Sequence, residues 1–140
     1  MYKQEWQSLV SRQNSCITYR SIKLNLELEK YLILLDSSDR INICRFRCRN
    51  SYIPVVTRAY IDRDIPYENR TCTICNMNEP GDEFHYIIRC PSLQQYRNSC
   101  ISNYYMRNPN IAISELFQST NVKVLKKLAK FIGEINRQLR

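Results

Sequence analysis

The sequence predicts a mainly α-helical fold, and three observations carry that reading. Residues 122–139 set Val124, Leu125, Leu128, Phe131, Ile132, Ile135 and Leu139 within an arc of about 120° at helical spacing, with Lys123, Lys126, Lys127 and Lys130 opposite. Asp36-Ser37-Ser38-Asp39 closes one apolar run and caps the segment that follows. With 140 residues, two glycines and five prolines, the chain fits one small domain over 1–140, with no flexible low-complexity linker and no internal repeat. One or two short strands at most complete the expected architecture.

Taken in order, residues 4–12 form a short helix. Ile22, Leu24, Leu26 and Leu28 alternate with polar residues in strand-like fashion. The apolar run Tyr31–Leu35 ends at the Asp36 cluster, and a helix follows over roughly 39–49. Pro54 and Pro66 mark 50–70 as extended or looped, with Ile53-Pro54-Val55-Val56-Thr57 as a short edge strand. Pro91 opens a helix over 92–105, where Leu93, Tyr96, Cys100, Ile101, Tyr104 and Tyr105 recur at helical spacing. Asn108-Pro109-Asn110 is a turn, 113–117 a short helix, and Gln118–Asn121 a cap for the last helix.

Composition narrows the function classes. The N-terminus lacks the apolar stretch of a secretory signal, and nowhere do about 18 apolar residues run together as a membrane span requires. The chain is therefore expected to be intracellular, in nucleus or cytoplasm. Seven cysteines, an odd number, in a reducing compartment point to metal binding and buried thiols rather than disulfides. A net charge of +8, spread over both halves, favours polyanionic partners, nucleic acid first and acidic membrane surface second.

The chemistry concentrates in residues 70–91. Cys72-Thr73-Ile74-Cys75 is a C-x2-C pair, a spacing with which one tight turn presents two thiolates to a tetrahedral metal. His85, the only histidine, follows after nine residues and Cys90 after four more, giving C-x2-C-x9-H-x4-C. Pro80-Gly81 turns the chain, and Asp82 caps a short helix over Glu83–Ile88 that aims His85 at the knuckle, with Cys90 at the break Pro91 enforces. Four protein donors leave no open coordination position, so the pattern reads as one structural zinc ion held by Cys72, Cys75, His85 and Cys90. The competing reading is three buried thiols and a satisfied histidine sharing a core. An iron–sulfur cluster fits less well, because it normally takes four thiolates. Cys44 and Cys48, four apart on a helix, offer half of a second site, but without a placed partner in Cys16 or Cys100 they read as small core fillers.

Arg70-Thr71-Cys72-Thr73-Ile74-Cys75, Gly81-Asp82-Glu83-Phe84-His85 and Arg89-Cys90-Pro91 together resemble the zinc-binding region at the C-terminus of non-LTR retrotransposon reverse transcriptases. Upstream, Cys44–Arg49, Ile53-Pro54 and Thr57-Arg58 look like the basic helix and short extended segment that precede this knuckle. The resemblance implies the same four ligands and contact with an RNA or DNA template during target-primed reverse transcription. It implies no catalysis: the chain has no Asp-Asp pair for two polymerase metals, and it is too short for fingers, palm and endonuclease. A retrotransposon-derived fragment, or a gene retaining only the terminal domain, is the expectation.

Arg40, Arg45, Arg47, Arg49 and Arg58 are the candidate nucleic-acid contacts, since guanidinium forks match phosphate bidentately. Tyr52, Tyr60, Tyr67 and Tyr86 are candidates to stack on unpaired bases. The lysine row at 123–130 is either the solvated face of a helix or a phosphate contact. Two rivals from other classes are a zinc-stapled protein-interaction module and a nuclease using Asp62, Asp64 and Glu68.

Overall fold

The computed structural model describes residues 2–13 and 17–140, and among these the chain is built from helices joined by short turns. In order they are α1 (Tyr2–Arg12), α2 (Ile17–Ile22), α3 (Lys30–Leu34), α4 (Ser37–Arg47), α5 (Pro54–Ile61), α6 (Gln94–Cys100), α7 (Asn103–Arg107), α8 (Pro109–Gln118) and α9 (Val122–Gln138). The Cys/His segment lies between α5 and α6. The chain is thus mainly α, as its periodicity predicts. No described helix is long and apolar enough to cross a membrane.

Helix starts follow from specific side-chain acceptors. Asp36 caps α4 through its side chain, which accepts from Asp39 N at 3.0 Å, and Asn121 caps α9 by accepting from Lys123 N and Val124 N; each satisfies backbone N–H groups that the first turn leaves open. Along α9, Leu125, Leu128, Phe131, Ile132 and Ile135 are fully buried, while Lys123, Lys126, Lys127 and Lys130 are exposed. That stripe packs on α4 and α6. Phe46 of α4 stacks on Phe117 of α8, ring centroids 6.2 Å apart, and these contacts join one apolar cluster running from Ile22 to Ile135.

Four expectations are corrected. Residues 54–61 are α5 rather than an edge strand: Pro54 sits at the first helical position, where its missing N–H costs nothing and its fixed φ fits, and only Ile53 is extended. Residues 23–28 are irregular, with Leu24, Leu26 and Leu28 exposed, because no neighbouring strand pairs with them. The helix expected over 92–105 is broken. Ile101 turns extended to bury its side chain, and the Ser102 hydroxyl then caps α7. The helix expected over 113–117 begins earlier, at Pro109. Among the described residues the one β element is a single antiparallel bridge, Thr71 to Pro80.

Candidate metal centre

The bridge between Thr71 and Pro80 pinches the base of the knuckle. Cys72 N donates to Glu79 O at 2.9 Å and Gly81 N to Arg70 O at 2.9 Å, so residues 72–79 form a closed loop with Cys72 and Cys75 at its start. Asn78 takes a left-handed φ of 55°, which asparagine tolerates, and turns the loop back.

Asp82 starts the second half. One carboxylate oxygen accepts from His85 N at 2.7 Å and the other from the Tyr67 hydroxyl at 2.7 Å. The helical turn then widens: Cys90 N donates to His85 O at 2.7 Å, a π-type bond spanning five residues. This width has a geometric effect. In an α-helix, residues five apart lie about 140° apart around the axis. The wider turn brings His85 and Cys90 back to one side, toward the knuckle.

The ligand atoms of Cys72, Cys75, His85 and Cys90 all lie within 4.8 Å of one another, so the four could hold one metal ion. Cys72, His85 and Cys90 are buried and Cys75 is half-buried. His85 Nε2 faces Cys75 Sγ at 3.4 Å, and its other nitrogen, Nδ1, lies 3.2 Å from Glu79 Oε2. Glu79 Oε1 in turn pairs with Arg89 at 2.7 Å. A carboxylate on the outer nitrogen fixes the ring's tautomer and raises the basicity of the inner one, the usual setting of a metal-bound histidine.

The protein's own electrostatics prepare the cluster unevenly. Burial opposes ionisation of Cys72, but hydrogen bonds from His85 and Tyr86 outweigh it and bring the thiol down to about 6. Burial pushes Cys90 up to about 12, with Cys72 and Cys75 adding charge repulsion. Burial likewise raises Cys75. Burial pulls His85 down, yet hydrogen bonds to Cys72 and Glu79 leave it raised. One thiolate is therefore stabilised by the protein alone, and the other two need a bound cation.

The surroundings hold residues that sequence reasoning missed. Arg97, 1% exposed, donates from Nε to Ile87 O at 2.9 Å and from Nη2 to Cys90 O at 2.7 Å and Tyr86 O at 3.3 Å. It collects the carbonyls that the wide turn leaves open and ties them to α6; no spacing in the sequence marks it. Gly81 is needed for close approach. A Cβ there would lie 2.8 Å from the Pro54 ring and 2.9 Å from the Tyr86 hydroxyl, so only glycine lets α5 abut this turn. Glu79 had a faint signal, as the one carboxylate between Cys75 and Pro80.

The candidate nucleic-acid residues differ in exposure and in partners. Arg45 is exposed on α4. Arg47 is corrected: it is 1% exposed, pairs with Glu29 at 2.7 Å and lies 5.2 Å from the Tyr31 ring centroid, so its guanidinium faces inward. Arg49 lies past the end of α4 with φ 54° and donates to Val55 O at 3.5 Å. Arg40 donates to Leu32 O and Arg58 to Asn69 O, both at 3.0 Å.

Among the tyrosines, Tyr86 is fully buried and Tyr67 is bonded through its hydroxyl, while Tyr52 and Tyr60 are exposed. Cys44 and Cys100 are half-buried and stand outside the metal cluster; Cys48 is exposed rather than a core filler, and Cys16 lies outside the described residues. Among the described residues, Asp62, Asp64 and Glu68 do not converge as a metal-ligating group. Comparisons with family models, with curated proteins and with solved structures give no match.

Proposed function

We propose that this chain is a zinc-stabilised, non-catalytic domain that binds nucleic acid, and that its knuckle resembles the C-terminal zinc-binding region of non-LTR retrotransposon reverse transcriptases. The observation that carries the reading is the convergence of Cys72, Cys75, His85 and Cys90 with Glu79 behind the imidazole. Three sulfurs and one imidazole suit zinc. A zinc tetrahedron with bonds of about 2.0–2.3 Å has edges of about 3.4–3.8 Å, so the set closes by movements of about 1 Å at most. With all four positions filled by protein, the ion supplies folding energy and no open site for chemistry. The net charge of +8 and exposed cations such as Arg45 support a phosphate-bearing partner, RNA or DNA, read with weak sequence selectivity. Thiols kept for metal favour a reducing, intracellular setting.

Two measurements test this. Metal analysis should find one zinc in the wild-type protein, lost in Cys72→Ser, Cys75→Ser, His85→Ala or Cys90→Ser and retained in Cys44→Ser, Cys48→Ser and Cys100→Ser. Binding to single-stranded RNA or DNA should weaken along a linear log–log salt dependence, because phosphate contacts release counterions.

A second reading has its own observation. Leu24, Leu26, Leu28, Ile33 and Ile41 are all more than 40% exposed, an apolar content that suits a protein partner. A zinc-stapled interaction module of that kind would show no salt-linked binding to nucleic acid.

A further inference from the structure

Between α4, the turn after it and the C-terminal end of α9 lies a cavity of about 360 Å³ lined mostly by polar residues. Arg45, Arg137 and Arg140 contribute three guanidinium groups, and no aspartate or glutamate is among the described residues that line it. Gly133, also in the lining, keeps α9 from filling the space beside Asn42. Two of the buried polar side-chain atoms that find no hydrogen-bond partner among the described residues, Ser51 Oγ and Asn136 Oδ1, belong to this same lining. Leaving such groups unpaired is unfavourable, so their concentration beside three cations points to a ligand that carries both charge and hydrogen-bonding groups. Tyr52 completes the wall. The Arg140 guanidinium lies over one face of its ring, 5.0 Å from the centroid, and the ring is 46% exposed, so a base can stack on it beside the cation or in the cation's place.

We infer that this cavity receives one nucleotide unit of a single-stranded nucleic acid. Arg45 and Arg140 meet the phosphates, Ser51 and Asn136 hydrogen-bond the sugar or base edge, and Tyr52 stacks. Arg137 is the weakest of the three cations because it also pairs with Glu134. The assignment rests on the nucleic-acid reading above and names its site: a cleft on the α4–α9 face, with only Arg45 drawn from the arginines that the sequence suggested.

The test titrates a short single-stranded RNA and the matching DNA against full-length zinc-loaded protein, with inorganic phosphate, a mononucleotide and polyglutamate as separate probes. For Arg45→Ala/Arg140→Ala, affinity at low salt should fall roughly tenfold and the log–log salt slope should flatten by about 1.4, two contacts at about 0.7 each. Both residues are exposed, and zinc content and circular dichroism should be unchanged. Ser51→Ala and Asn136→Leu should each weaken binding about threefold with the slope unaltered, while leaving stability equal or improved, since each removes an unpaired buried group. A strand that binds wild type and double variant alike overturns the cavity assignment and leaves the nucleic-acid reading standing. Absence of strand binding by the wild type overturns both, whichever of the three small or acidic probes binds instead.

Discussion

Glu79 Oε2 lies 3.2 Å from His85 Nδ1, on the side of the imidazole away from Cys75, and its other oxygen is held by Arg89. The relationship makes Glu79 a positioning residue for the metal. Glu79→Gln should weaken zinc affinity about 10–100-fold without changing stoichiometry, as loss of such outer partners does. Competition with a chromophoric chelator measures it, and an affinity within about twofold of wild type would detach Glu79 from the metal.

Zinc uptake should release protons. At pH 7 Cys72, at about 6, is already largely thiolate, whereas Cys75 and Cys90 are raised and carry theirs. Binding therefore displaces about two thiol protons, plus the share held by His85, and affinity falls as pH falls. Calorimetry in buffers of different ionisation enthalpy counts them; release of fewer than one would show that the thiols are not the ligands.

Arg47 and Arg45 should separate cleanly. Removing the inward Arg47 leaves Glu29 without its main partner, and Arg47→Ala should cost about 3–5 kcal/mol, as broken buried pairs do. Arg45→Ala should stay within about 0.5 kcal/mol. The pair also has a pH signature. Burial alone would raise the Glu29 carboxyl, but hydrogen bonds from Arg47 and Lys23 hold it below its ordinary range. A depressed acid stabilises the fold above its unfolded pKa, and that contribution is lost as pH falls through the folded one. Denaturant midpoints of wild type and Glu29→Gln should thus differ at pH 7 and converge in acid. A constant gap would mean the ionised pair contributes nothing.

Gly81→Ala should destabilise the protein by about 1–3 kcal/mol, the range of overpacked cores, since its methyl meets a rigid proline ring and a buried hydroxyl. Leu128→Ala should cost about 2–5 kcal/mol and Lys127→Ala almost nothing. Urea titration of all three ranks them. A neutral Leu128→Ala would mean that α9 is not part of the core.

What the sequence made legible was whatever depends on neighbours along the chain. The ligand spacing, the caps at Asp36, Asp82 and Asn121, and the stripe of α9 are local patterns, and each recurs in the structure. Pro54 misled because proline is equally at home before an edge strand and at the start of a helix; the choice was made by Gly81, whose bare backbone lies against the proline ring. Arg47 read as a surface cation because charge predicts exposure on average, and nothing singled out Arg97. Their burial depends on Glu29, eighteen positions away, and on carbonyls freed by a widened turn, neither of which leaves a periodic trace.

The wide turn between His85 and Cys90 also decides where this chain tolerates a change of length. One residue inserted into 86–89 would carry the cysteine a further step around the axis and out of reach of the knuckle, whereas one residue deleted would let an ordinary α-turn hold the two ligands, then four apart, on one face. At the tip of the knuckle, Asn76, Met77 and Asn78 are exposed, and loop closure there grows costlier only logarithmically with added residues. The nine-residue gap is thus the elastic side of the ligand spacing, and relatives of this chain should vary there, whereas the second gap should be four residues with a widened turn or three with an ordinary one.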